Sequence, residues 1–182
     1  GEGFMETLGY LHIIARRGPA QAKCSPAELK EMGALADCDC IADPEDLRLN
    51  PESETEREEP AIEKTLSLFE AYANNPGHGR RRKIRFRFLL SPVRVLGMEK
   101  VESIALETNR LKGPPFEQWA KGTGEDVEQS CGLVFSSIGY RGMPLPGVPY
   151  DRRRGTIPNI DGRIVDDGEP IPGLYAVGWI RR

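Results

Sequence analysis

The chain has 182 residues, of which 38% are hydrophobic and 29% charged, with a mean hydropathy of −0.47 and a net charge of −3. That balance fits one globular domain, or one domain plus part of another, and excludes disorder throughout. No apolar run approaches the roughly 18 residues of a membrane span, the first residues lack the order of a signal peptide, and a near-neutral total argues against a dedicated nucleic-acid binder.

Tyr10 to Ala15 (YLHIIA) is apolar and β-branched without clean alternation, which predicts a buried parallel strand leading into Arg16-Arg17-Gly18-Pro19. Ser25-Pro26-Ala27-Glu28 then forms a capping box with proline at the first helical position, opening a helix to about Met32. Cys38 to Ala42 is a candidate second strand. The four cysteines, Cys24, Cys38, Cys40 and Cys131, show no CxxC spacing and read as reduced thiols. Cys38 and Cys40 are expected on opposite faces of that strand, a poor chelate. Pro44 to Pro60, which contains most of an acidic stretch from Glu52 to Glu63, has almost no apolar periodicity and is expected on the surface. From Ala61 to Ala73 the apolar residues Ile62, Leu66, Phe69 and Ala73 fall on one helix face, and Asn74-Asn75-Pro76-Gly77 ends the helix.

Lys83 to Phe88 (KIRFRF) alternates strictly and predicts a half-buried strand. With Val93 to Leu96 and Val101 to Thr108 it is expected to form an antiparallel meander inserted on a parallel core. A polar stretch around Lys112 to Glu128 is expected to separate this meander from a buried strand at Leu133 to Ile138. A last strand, Leu174 to Val177, reaches Gly178-Trp179. Strand, basic turn and capped helix are α/β grammar.

The sharpest chemical signal is the arginine pair directly after the first strand. In dinucleotide folds the adenine ribose sits at the end of a strand of this kind. An acidic residue there hydrogen-bonds the 2′-hydroxyl of NAD, whereas arginine accommodates the 2′-phosphate of NADP. Two guanidinium groups can pair bidentately with phosphate oxygens; the alternative is a solvated charge pair. Glu28 is either only a helix cap or also a nucleotide contact. Gly139-Tyr140-Arg141-Gly142 resembles a turn by which two-dinucleotide flavoproteins leave a nucleotide domain, the alternative being an ordinary strand-ending glycine turn, and Trp179 reads as a ring over a cofactor or an apolar anchor. His12 and His78 have no recognisable triad or ligand set, so no catalytic or metal-ligating residue is predicted.

Ala15 to Met32 (ARRGPAQAKCSPAELKEM), Phe86 to Gly97, Ser137 to Asp151, Gly155 to Ile164 and Gly173 to Arg182 (GLYAVGWIRR) occur in an order that resembles the adrenodoxin-reductase family. That family comprises mitochondrial NADPH:adrenodoxin oxidoreductases and bacterial NADPH–ferredoxin reductases, and the spacing looks closer to the bacterial type. The resemblance implies a Rossmann-like NADP-binding domain with an antiparallel β insertion, from a two-dinucleotide-binding-domain flavoprotein of glutathione-reductase-like build. It implies NADPH and FAD as cofactors and a ferredoxin or adrenodoxin-like iron–sulfur protein as partner. Arg16 and Arg17 would bind the 2′-phosphate, Glu28 would contact NADP, and Trp179 would lie near flavin and nicotinamide. Residues 1–172 would be the NADP-binding domain and 173–182 the start of the return into an FAD domain. Location is expected to be cytoplasmic in a bacterium, or else the mitochondrial matrix.

Departures qualify the resemblance. GEGFMETLGY, with Gly1 and Gly3, is too short for the Gly-rich turn and helix that seat pyrophosphate, and the chain stops at Arg181-Arg182. The isolated chain is therefore expected neither to hold FAD nor to turn over. The acidic 52–63 stretch lies where mitochondrial members present basic residues to the iron–sulfur partner. The alternatives are a non-catalytic, degenerate nucleotide-binding or interaction module, and another two-dinucleotide flavoprotein such as a glutamate-synthase-like reductase.

Overall fold

A computed structural model describes residues 9–75, 77–139 and 141–181. The chain divides into two compact units, Gly1–Val134 and Phe135–Arg182. The first carries β1 (Tyr10–Ile14), α1 (Pro26–Gly33), β2 (Cys38–Ala42), α2 (Pro51–Glu56), α3 (Pro60–Asn74), β3 (Arg82–Arg87), β4 (Leu90–Leu96), β5 (Ser103–Lys112) and β6 (Trp119–Ser130). The second carries β7 (Asn159–Ile160), β8 (Arg163–Asp166) and β9 (Glu169–Tyr175).

Strands β1, β3 and β2 form a parallel sheet in that order, with Ile13 beside Phe86 and Cys40 beside Ile84. The α/β expectation holds, with one reassignment. The alternating segment KIRFRF is half-buried as its pattern requires, but it is the central parallel strand and not the first strand of the meander. Alternation arises here because α1 and α3 cover one face of the sheet. Ile84, Phe86 and Phe88 turn toward them, while Lys83, Arg85 and Arg87 line the other face beside Asp39, Asp43 and Asp46. Strand β1 lies at the edge among the described residues, so Tyr10 and Leu11 are half exposed and not buried as their composition suggested.

Phe69 of α3 holds this core. It is 1% exposed and meets Phe86 and Phe88 edge-on, with ring centroids 5.2 and 5.1 Å away, the preferred geometry for aromatic quadrupoles. Leu29 of α1 is fully buried in the same cluster, and the Tyr72 hydroxyl donates to its carbonyl. Cys38 and Cys40 share the core-facing side of β2. The opposite-face expectation was an error, because residues two apart on a strand share a face. Burial pushes the Cys40 thiol up to about 11.

The antiparallel insertion is β4-β5-β6, entered straight from β3 through Phe88 and Leu89. Its buried side is supplied by Leu90, Ile104 and Leu106, against which Ile14 and Cys131 pack. Two expectations fail around it. The polar stretch 112–128 contains most of β6, a strand whose side chains are mostly exposed and whose sequence therefore carries no apolar signal. Leu133 to Ile138 forms no strand, and Phe135 and Ile138 are 77% and 91% exposed; apolar content alone does not distinguish a strand from an extended link.

In the second unit β7, β8 and β9 form an antiparallel sheet over a core of Ile157, Ile164 and Ala176. The last strand thus begins earlier than Leu174 and ends at Tyr175. Both of its hairpin turns are Asp-Gly, with φ of 51° and 86° at Asp161-Gly162 and 46° and 89° at Asp167-Gly168. Those are the left-handed values a two-residue turn requires. In the expected Gly139-to-Gly142 turn, Gly139 has φ 97° and the Gly142 amide donates to Gly155; Tyr140 lies outside the described residues, as do Gly1 and Gly3. Among the described residues no helix is long and apolar enough to cross a membrane.

Candidate functional site

Strand β1 delivers Arg16 and Arg17 to the C-terminal edge of the parallel sheet, where ligands of open α/β sheets bind. The chain turns there because Gly18-Pro19-Ala20 goes under cover: all three are buried, and Pro19 opens a short 3-10 turn to Gln21 packed near α3. Arg16 is exposed and Arg17 half-buried.

The antiparallel insertion holds this turn from the other side. The Ala15 carbonyl accepts from Leu90 at 3.1 Å and the Arg17 carbonyl from Leu89 at 3.2 Å. Asn109 of β5, 6% exposed, donates its Nδ2 to the Arg16 carbonyl at 3.0 Å and to Ser91 Oγ at 2.8 Å. The Arg17 guanidinium donates through Nη1 to the Gln118 carbonyl at 3.4 Å.

Gln118 belongs to a buried polar cluster that sequence reading did not find. It is 3% exposed; its Oε1 accepts from Asn50 Nδ2 at 2.7 Å, and its Nε2 donates to Ser53 Oγ at 2.9 Å and Glu56 Oε1 at 2.8 Å. Glu56, 2% exposed, also accepts from the Phe116 amide at 2.8 Å and from Gln21 Nε2 at 2.7 Å. Burial alone would raise this carboxyl. Hydrogen bonds from Gln118, Gln21 and the Phe116 amide, with the charge of Arg17, outweigh it and hold the group below its ordinary value. Phe116 sits at φ 67°, a left-handed conformation that costs an ordinary residue roughly 1–2 kcal/mol and persists where the surroundings impose it.

The segment expected on the surface lies mostly there, but two of its side chains, Ser53 and Glu56, are buried. Helix α2 was signalled by Asn50-Pro51, an N-cap followed by proline, and by Glu52 and Glu54 in the first turn; the Asn50 side chain accepts from the Ser53 amide at 2.9 Å. No local signal marked Ser53 or Glu56 as buried.

Glu28 forms the expected capping box. Its Oε2 accepts from the Ser25 amide at 2.6 Å and the Ser25 hydroxyl at 2.9 Å, which lowers its pKa. That carboxylate oxygen is engaged in helix capping. Trp179 is in the second unit, in the short turn Gly178–Arg181, and is 72% exposed. His12 stacks on Tyr10, and its pKa is lowered by burial and by the charges of Arg85 and Arg87.

The N-terminal edge of the same sheet carries a second basic group. A cleft of about 250 Å³ there is lined by Asp37, Arg80, Arg81 and Arg82. Beside it Asp39, 3% exposed, accepts from the His78 and Arg80 amides at 3.1 and 3.0 Å and from Lys83 Nζ at 3.3 Å. Among the described residues no cluster of His, Cys, Asp or Glu could hold a metal ion.

A parallel sheet with covering helices on one face, an antiparallel insertion and paired arginines at the C-terminal strand edge define a Rossmann-like α/β domain. No family model matches the chain. Over 174 residues, 93% of the chain, it is 40% identical to the NADPH-ferredoxin reductase FprA of Mycobacterium tuberculosis, covering 37% of that protein. It is 34% identical over 181 residues to the mitochondrial NADPH:adrenodoxin oxidoreductase of Homo sapiens, covering 36% of it. The solved structure of Mycobacterium tuberculosis FprA in complex with NADPH superimposes with a TM-score of 0.80 at 37% identity, over 95% of this chain and 37% of that one. Over nearly its whole length the chain is thus similar to members of the adrenodoxin-reductase family, and it spans a little over a third of the length of these relatives.

Proposed function

We propose that the first unit recognises the 2′-phosphate of NADP(H) through Arg16 and Arg17. The observation that carries this reading is the arginine pair at the C-terminal end of β1, one guanidinium exposed and the other held by a backbone carbonyl. A phosphate dianion there meets two delocalised cations on a turn already fixed by Asn109, Leu89 and Leu90, so little order remains to be imposed on binding. Glu28, in the first turn of α1, would orient an arginine or accept from a ribose hydroxyl.

On the scale of the whole protein, the reading is a flavoprotein that passes electrons from NADPH through FAD to a ferredoxin- or adrenodoxin-type iron–sulfur protein. Nicotinamide and flavin supply the redox chemistry; this chain's residues bind and orient. Residues 1–172 would be the NADP-binding domain, and residues 173–182, with Trp179, the start of the return to the flavin. A family relative whose structure holds NADPH supports the choice of nucleotide.

Calorimetric titration of the chain with 2′-phospho-AMP and with AMP tests the reading. The phosphorylated ligand is expected to bind at least about tenfold more tightly, as charge-assisted hydrogen bonds predict, with a preference that shrinks as salt rises. Equal affinities, or binding of neither, would overturn it.

A further inference from the structure

The cluster under the β5–β6 loop is anchored on Gln118, whose side chain is hydrogen-bonded throughout, although the neighbouring Gln21 Oε1 is buried without a partner. The Gln118 amide is engaged at both ends, by Asn50 on one side and by Ser53 and Glu56 on the other. What this fixes in space is the residue's backbone carbonyl, and that backbone carbonyl accepts from Arg17 Nη1. Glu56 strengthens the same arrangement twice, by pinning the Phe116 amide two residues earlier in the loop and by attracting the Arg17 guanidinium through space. Buried side chains hydrogen-bonded at both ends are rigid, and here the Gln118 end is turned to an arginine.

We propose that Gln118, locked by Asn50, Ser53 and Glu56, is a positioning residue that presents Arg17 to the nucleotide 2′-phosphate. The proposal rests on the NADP reading above and adds to it the residue that makes the arginine selective. An arginine on a freely moving stem gives up much rotameric freedom on binding; one tethered in advance gives up less, and the difference appears as affinity for the phosphate alone. AMP, lacking that phosphate, does not sense it. Specificity for NADP over NAD would then depend on a β5–β6 loop residue 101 positions away from the arginine.

Two measurements on the full chain test this. The first is the affinity ratio of 2′-phospho-AMP to AMP in the wild type, Gln118→Ala, Arg17→Ala and the double variant. Gln118→Ala is expected to lower the ratio about fivefold with AMP affinity unchanged, the scale of one hydrogen bond, and to lower it no further once Arg17 is already alanine. A ratio unchanged in Gln118→Ala, or an equal drop in the Arg17→Ala background, would overturn the proposal even if the melting temperature falls. The second is ¹⁵N relaxation of the Arg17 Nε–H without ligand: ordered in the wild type and mobile in Gln118→Ala. Mobility that is the same in both overturns the positioning role, and this readout holds even if the wild type fails to discriminate the two nucleotides, which would count against the NADP reading alone. If Gln118→Ala does not fold, Gln118→Asn, which keeps an amide but shortens its reach, is expected to give the same two signatures in smaller measure.

Discussion

Two carboxylates are buried almost equally at opposite edges of one parallel sheet, Asp39 at 3% and Glu56 at 2% exposure, and the chain treats them differently. Asp39 is met by Lys83 at 3.3 Å, with Arg80 Nε at 3.9 Å, so the charge is neutralised within the edge it belongs to. The direct donors to Glu56 are a backbone amide and the neutral side chains of Gln21 and Gln118, and Arg17 acts on it through space. The first arrangement closes an edge of the sheet. The second holds a cation in a set position at the edge where ligands of such sheets bind.

Removing the frame common to both edges has the largest expected effect. Phe69→Ala is expected to cost about 3–5 kcal/mol of stability in denaturant unfolding, since it empties the centre of the aromatic cluster; a cost under about 1 kcal/mol would mean the core repacks and the comparison lacks a rigid scaffold. Breaking one edge comes next. Asp39→Asn should lower stability at neutral pH and leave the nucleotide ratio untouched, the converse of Gln118→Ala. In the wild type, hydrogen bonds from His78, Arg80 and Lys83 outweigh burial and hold Asp39 below its ordinary value. A depressed carboxyl stabilises the fold above its unfolded value of about 3.9 and loses that contribution as pH falls through the folded value. The acid limb of a stability–pH curve should therefore be flatter in Asp39→Asn; curves that coincide would show that this charge does not contribute.

A smaller effect separates Glu28 the cap from Glu28 the ligand. Ser25→Ala is expected to cost about 1 kcal/mol of stability through the lost capping box. Alongside that, 2′-phospho-AMP affinity should change little if capping is the carboxylate's whole role and by several-fold if its orientation matters to the nucleotide. The least effect concerns Cys40. With its thiol pushed up to about 11 by burial, it should resist a disulfide reagent at pH 8 in the folded chain and react on unfolding. Its deprotonation lowers stability as pH rises from the ordinary thiol value toward that figure.

Most of the framework around the arginine pair was legible. The Ser25–Glu28 box specified α1, the Ile62, Leu66, Phe69 and Ala73 stripe specified α3, and Arg16-Arg17 after an apolar run marked the strand edge. The Asn50-Pro51 start of α2 and the Asp161-Gly162 and Asp167-Gly168 hairpin turns were equally explicit in the sequence and were not read. The pairing of β3 with β1 and β2, the existence of β6, and the burial of Glu56 and Gln118 had no local mark.

By itself, then, the sequence determined the elements whose causes lie within a turn or two: caps, one-sided helices, alternating strands, and the chemistry of two adjacent arginines. Only the tertiary structure decided which sheet the KIRFRF strand would join and which polar residues would be buried together. Caps and periodicity act between neighbours in the chain, whereas strand partnership and polar satisfaction are settled between residues far apart, such as Glu56 and Gln118 at a separation of 62. A buried glutamate and glutamine read as surface residues until the groups that satisfy them are brought alongside.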